Sequence, residues 1–306
     1  MPGDAPSRLA GYTALAIGAV ATGWAAIFVR LAGEVPPLTL AAYRMLFAAL
    51  IIGGVALLLA RRRGDAWPAM GTLLPLLLAS ALLAGHFWSW FASLERTSVG
   101  SSVVIVTMQP LMAAILGFVF FRERPSRSEY AGLALAFAGL LIIGSGDLLH
   151  SAEAVTGDLY ALLGALLLAG HRTAGRGLRS TISAETYSAI VYGGAAAMLW
   201  VLVLALRPEA GGFAADTWTW IVLLALVPQV VGHTAFNWAL GHLRVVTVSM
   251  ATLGEPVIAT LLAIPVLAEA PEPGVLIGGP LILAGVVFGL RGASPAPAAA
   301  RGQPPA

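Results

Sequence analysis

Apolar stretches of similar length, divided by short polar connections, fill the chain from residue 10 to residue 291. A membrane-crossing helix needs about 20 mainly apolar residues, because each adds about 1.5 Å against a hydrocarbon core of ~30 Å. Ten stretches meet that length: residues 10–32, 38–60, 70–93, 98–121, 129–147, 157–178, 184–206, 217–240, 246–268 and 274–291. The expected fold class is an all-α polytopic membrane protein, with no connection long enough for a soluble domain. The first stretch is longer than a signal-peptide core and more spans follow it, so it reads as a retained helix. After Arg291 the segment GASPAPAAARGQPPA is of low complexity, and residues 292–306 are expected to form a disordered cytoplasmic tail.

Two stretches carry a polar residue and a proline together near their middle, Gln109–Pro110 in the fourth and Glu255–Pro256 in the ninth. These pairs are 146 positions apart, and the same offset relates Gly11 to Gly157, Gly18 to Gly164, Arg30 to Arg176, Glu123 to Glu269, Pro125 to Pro271, Gly132 to Gly278 and Gly139 to Gly285. The chain therefore reads as two five-helix repeats, 10–147 and 157–291. Five is odd, so the second repeat is expected to enter the membrane from the opposite side. Inverted repeats around a central cavity are the build of many secondary transporters, with substrate bound near the midplane. Arginine bias sets the orientation: thirteen Arg lie at one set of helix ends and three (Arg30, Arg96, Arg207) at the other, which puts both termini in the cytoplasm.

Composition agrees: 58% of residues are apolar and 10% charged, with a mean hydropathy of +0.87, where soluble domains carry roughly 25% charged residues. There is no Cys, which excludes disulfide and thiol chemistry. All 17 basic residues are Arg, scattered over short loops without a basic stripe, so no nucleic-acid partner is expected.

The candidate chemistry lies within the spans. A mid-bilayer carboxylate is costly and marks function by default, so Glu255 is read as a cavity or gating residue. Pro110 and Pro256 leave the carbonyls of Val106 and Thr252 without their helical donors and are expected to act as hinges. His86 and Trp90 are i and i+4 on one face of the third span, and His233 and Asn237 on the eighth, with Gln229 one turn away. Arg44 either snorkels outward or holds a substrate carboxylate. Arg172 is expected to snorkel. Glu123 and Glu269 end their helices and are expected to be solvated, the alternative for Glu123 being a gate pair with Arg122 or Arg124. Gly274–Gly278, Gly285–Gly289 and the series Gly132, Ala136, Gly139 are read as packing within the bundle. No His pair has ligand spacing and no acidic cluster accompanies them, so neither a metal nor a cofactor is expected. Hydrolytic chemistry would need a nucleophile or metal beside a base. Asp147, Asp158 and Asp216 lie at span ends or in loops, and the chain does not read as an enzyme.

The stretches QPLMAAILGFVFFRERPSRSEYAGLALAFAGLLII, from Gln109, and EPVIATLLAIPVLAEAPEPGVLIGGPLILAGVVF, from Glu255, resemble the two copies of the EamA domain of the drug/metabolite transporter superfamily. In each, a Pro is followed thirteen residues later by Glu, then by two Gly. Within that superfamily the chain looks most like the YddG-type exporters of aromatic and other bulky neutral amino acids. The resemblance implies a basket of ten helices around a central cavity. It carries the substrate site onto Trp24, His86, Trp90, Gln109, His171, His233, Asn237 and Glu255, with Tyr43, Arg44 and Trp238 beside them. The expected activity is export or facilitation of such amino acids across the inner membrane by alternating access. The protein would act as a monomer on a small-molecule substrate, with membrane lipid around it. Proton-coupled efflux of a drug or metabolite through Glu255 is the alternative. A lipid-linked flippase would favour basic residues in the cavity, for which only Arg44 and Arg172 are candidates.

Overall fold

The computed structural model describes residues 8–63, 68–97, 102, 105–144, 152–179, 181–267 and 273–291. The tail expected to be disordered, Glu269, and parts of the fourth, fifth and ninth spans lie outside them. The described residues are helical, with no strand. The helices are α1 (Arg8–Gly23), α2 (Ala25–Ala32), α3 (Pro37–Arg63), α4 (Leu73–Leu94), α5 (Gln109–Phe121), α6 (Arg127–Gly144), α7 (Ala152–Leu178), α8 (Ala184–Leu206), α9 (Ala215–Leu224), α10 (Thr234–Leu240), α11 (Val245–Ala251), α12 (Glu255–Leu267) and α13 (Pro273–Arg291). Seven continuous helical runs among the described residues are long and apolar enough to cross a membrane, and Gln109–Phe121 and Leu276–Arg291 are shorter apolar helices.

Local chemistry sets the ends. Ser126 and Glu129 form a reciprocal cap at α6, Ser126 N donating to Glu129 Oε2 at 2.7 Å and Glu129 N to Ser126 Oγ at 3.2 Å. Ser183 caps α8, and Arg122 and Arg207 close α5 and α8 in left-handed conformations (φ 55° and 52°). Both Gln/Glu–Pro pairs open a helix: α5 starts at Gln109 after a turn, and α12 starts at Glu255 after the 3₁₀ turn Thr252–Gly254. A proline in a first turn removes an N–H that has no intrahelical partner anyway. The expected bends are thus restarts of the helix. A further irregularity was not foreseen: Ala225–His233, between α9 and α10, is a π-helical turn containing Pro228.

The helices pack α3 on α8, α4 on α7, α5 on α7 and α11, α1 on the π turn and α10, and α6 on α13. Under the 146-residue offset α3–α8 and α6–α13 map onto themselves, and α4–α7 maps onto α1 with the π turn and α10. The α6–α13 contact carries this relation to its glycines. A Cβ on Gly132 would stand 2.5 Å from the Gly285 carbonyl oxygen, one on Gly285 2.5 Å from the Gly132 oxygen, and one on Gly139 2.5 Å from the Gly278 oxygen. The two helices therefore cross antiparallel with their backbones touching, and the glycine series serves packing within the chain. Large apolar side chains such as Leu50, Leu74, Phe120, Leu204 and Leu276 point outward, while Arg44, Arg176, Tyr187 and Tyr192 are fully enclosed. Polar groups inside and apolar groups outside are the arrangement a lipid surround demands.

Candidate functional site

A small cavity of about 40 Å³ lies where the two halves meet. Its wall takes Thr22 from α1, Arg44 from α3, His86, Phe87 and Trp90 from α4, and Val106, Thr107 and Gln109 at the start of α5. Leu168 and Arg172 of α7, His233 of the π turn, Thr252 and Glu255 complete it. Four pairs in this wall are related by the repeat offset: Thr22 with Leu168, Phe87 with His233, Val106 with Thr252, and Gln109 with Glu255. The space suits a few waters, since one needs ~10–15 Å³, and is far below the ~300 Å³ of a small-ligand pocket.

Glu255 begins α12, halfway along the apolar run Val245–Val266. Its Oε1 accepts a hydrogen bond from Thr22 Oγ1 at 2.8 Å, and it attracts both Arg172 and Arg44. Arg44 is 1% exposed; its Nε donates to Gln229 Oε1 at 2.9 Å, and its guanidinium lies 4.0 Å above the Phe87 ring. Arg172 is 2% exposed, with its guanidinium 5.2 Å from the Phe236 ring centre. Gln109 Nε2 donates to Thr252 Oγ1 at 3.0 Å, which links the two repeats. His86 Nδ1 is 2.9 Å from the Gly164 carbonyl. A carbonyl only accepts, so Nδ1 carries the proton and a neutral ring offers Nε2 as an acceptor. The His86 ring stacks on Trp90 at 6.1 Å, and His233 meets Phe87 edge-on at 5.4 Å.

Of the residues expected to bind substrate, the structure brings Arg44, His86, Trp90, Gln109, His233 and Glu255 together and holds the other five elsewhere. Trp24 stacks on Phe28 at 5.4 Å, next to Trp220. Tyr43 donates its hydroxyl to the Ala210 carbonyl at 2.7 Å and packs on Trp200 and Trp218. His171 Nδ1 is 3.1 Å from the Ala79 carbonyl. Asn237 donates to Ser188 Oγ at 3.0 Å and Tyr192 OH at 3.3 Å. Trp238 lies 4.2 Å from the His242 ring. Asn237 follows the π turn on α10, and from there its amide reaches α8.

Arg172 corrects the snorkelling expectation. It sits six residues before the end of α7, about 9 Å inside, and its side chain stays in the cavity wall. Thr22, Phe87 and Thr252 were also missed. The repeat could have found two of them, since Phe87 pairs with His233 and Thr252 with Val106.

A second buried group of charges lies at the Arg-rich end. Glu123 pairs with Arg176 at 3.5 Å and accepts from Val245 N at 3.4 Å. Glu129 pairs with Arg244 and accepts from Thr247 Oγ1 at 2.9 Å, and Arg244 also donates to the Arg124 carbonyl at 2.8 Å. Glu123 is 5% exposed, which overturns the expectation of a solvated helix end, and its partner is Arg176, not Arg122 or Arg124. Burial pushes its carboxyl above the ordinary value, against the pull of Arg176 and Arg244.

The chain was compared with known proteins. Residues 9–145 and 155–291 each match the model of the EamA-like transporter family, with the same separation as Gln109 and Glu255. The "Uncharacterized transporter YyaM" of Bacillus subtilis (strain 168) is 25% identical over 125 residues, which is 39% of this chain and 40% of that protein. A solved crystal structure superposes with a TM-score of 0.75 at 20% identity, covering 92% of this chain and 94% of that one, a likeness of fold. With both halves matched, the chain belongs to the EamA-like transporter family of multi-pass membrane proteins.

Proposed function

We propose that the protein exports small organic solutes, among them aromatic and other bulky neutral amino acids, across the inner membrane by alternating access. In this reading ten spans form two inverted repeats with both termini cytoplasmic, and the halves rock about the cavity, opening it to either side in turn. The observation that carries it is the cavity itself: halfway along the membrane-crossing runs, lined by both halves at equivalent positions, and combining guanidinium and carboxylate groups with the Phe87 and Trp90 rings. Substrate carboxylate would meet Arg44, ammonium would meet Glu255, and an apolar side chain would lie against the rings. The helix restarts at Pro110 and Pro256 supply places to bend. The YddG-type assignment rests on the sequence resemblance and on this aromatic lining.

Counterflow in proteoliposomes tests it. Vesicles preloaded with unlabelled phenylalanine should accumulate labelled phenylalanine with no ion gradient, above protein-free vesicles. A flat trace from folded protein sinks the amino acid reading. Pro256→Ala with unchanged flux would remove the hinge role.

One observation favours a second reading, proton coupling: Glu255 is the only carboxylate among the described residues lining the cavity. Glu255→Gln should then abolish flux driven by a pH gradient and spare counterflow. Gradient-driven flux that survives the change excludes Glu255 as the carrier.

A further inference from the structure

The charges in the cavity wall do not balance. Two guanidiniums, Arg44 and Arg172, face one carboxylate, Glu255. The hydrogen-bonding atoms are unequal in the same sense. Arg44 NH1, Arg172 NH1, Trp90 Nε1 and, behind Arg44, Gln229 Nε2 are buried donors without a protein partner, whereas Gln109 Oε1 is the one such acceptor at the cavity among the described residues. A buried donor left unpaired is destabilising, and a buried unpaired cation more so. A wall rich in orphan donors is a wall shaped for acceptors, and a carboxylate offers about four acceptor sites with no donor. Arg44 and Arg172 also come from opposite halves, α3 and α7. One carboxylate between them would tie the halves together.

We propose that the cavity recognises its occupant through a carboxylate shared by Arg44 and Arg172, and that its preferred occupant is a bulky apolar monoanion without an ammonium group. This rests on the reading of the cavity as the transport site and narrows its substrate class. A zwitterionic amino acid brings no net charge and leaves the excess positive charge in place. An aryl- or alkyl-substituted carboxylate, or an N-acylated amino acid, cancels one unit of it. That advantage is the same whether or not Glu255 carries its proton. An ammonium group would gain Glu255 but stand among two guanidiniums, and the wall already supplies Thr22 to the Glu255 carboxylate.

The test is ligand-induced thermal stabilisation of the full-length protein in mild detergent, run beside phenylalanine counterflow. The probes are 3-phenylpropionate, N-acetylphenylalanine, phenylalanine and phenylalaninamide. The two monoanions should half-saturate at about a tenfold lower concentration than phenylalanine, the cost of one uncompensated charge pairing, and phenylalaninamide should give no shift. Arg172→Gln should raise the half-saturating concentration of 3-phenylpropionate about tenfold, with Arg172→Lys between the two, because lysine keeps the charge and loses the fork. Should Arg172→Gln fail to fold, Arg44→Gln makes the same measurement, and the ligand ranking on the unaltered protein decides alone. Phenylalanine or its amide binding more tightly than 3-phenylpropionate overturns the inference, as does the absence of a shift with either monoanion. If the monoanions bind and phenylalanine is not exchanged, the amino acid reading falls and the inference stands. If phenylalanine is exchanged and the monoanions do not bind, the reverse holds.

Discussion

Two groups of buried charge lie in this molecule, and they are built differently. At the Arg-rich end two carboxylates, Glu123 and Glu129, meet two guanidiniums, Arg176 and Arg244, and the group is sewn in by the Val245 amide, Thr247 and the Arg124 carbonyl. In the cavity two guanidiniums meet one carboxylate, and several buried donors have no protein partner. The first group is neutral and joins three connected elements, as a structural tie should. The second is unbalanced, and an unbalanced buried site is stable only with something bound or with an equilibrium that opens it. Charge that is paired holds the fold, and charge that is unpaired waits for a ligand.

Breaking the tie should have the largest effect. Glu129, fully buried, caps α6 and pairs with Arg244. Glu129→Ala should cost about 3–5 kcal/mol by stranding that cation, seen as a fall in thermal unfolding temperature in detergent. Next comes the frame that carries both groups. Gly285→Val leaves no room between α6 and α13 and should cost about 1–3 kcal/mol or more through overpacking, read from the yield of monodisperse protein and its unfolding temperature. Removing the cavity's excess charge should invert the pattern. Arg172→Met should leave stability within about 1 kcal/mol of the parent or raise it, while initial counterflow rates fall about tenfold with loss of a charge-assisted contact. Equal destabilisation of Arg172→Met and Glu129→Ala would erase the distinction.

The smallest effect is one of pH. The folded-state value of Glu123 is raised above 4.5 by burial, so the folded protein holds this proton where the unfolded chain has lost it. Its contribution to stability is therefore present below 4.5 and declines as pH rises through the raised value. Glu123→Gln should flatten that part of the profile of unfolding temperature against pH. An unchanged slope would mean that the tie keeps Glu123 ionised throughout.

The helical architecture was legible because lipid leaves little choice: apolar runs of the right length must be helices, and glycines on one face mark close contact. The repeat made Gln109 and Glu255 legible together, since equivalent positions in a duplicated frame fall at one depth. What failed was reading a helix by its end or its face. Arg172 stands near a helix end in the sequence, yet the cavity reaches that level and its stem has no reason to leave. Glu123 has Arg122 and Arg124 as sequence neighbours, whereas its partner Arg176 is supplied by the other half. Tyr43 and Trp238 are aromatic and near the right spans, but they pack on Trp200 and Trp218 and on His242. Face arguments assume regular pitch, and the π turn at Ala225–His233 breaks that assumption between Gln229 and His233.

That turn also makes the site sensitive to chain length. Nine residues between Leu224 and Thr234 cover what α-helical winding would cover with fewer. Removing one residue, with no change of side-chain type, lets the segment relax to ordinary pitch and rotates α10 by about 100° relative to α9. Asn237 would swing away from Ser188 and Tyr192, and His233 away from Phe87. The number of residues between two fixed points is as much a part of this cavity as the side chains that line it.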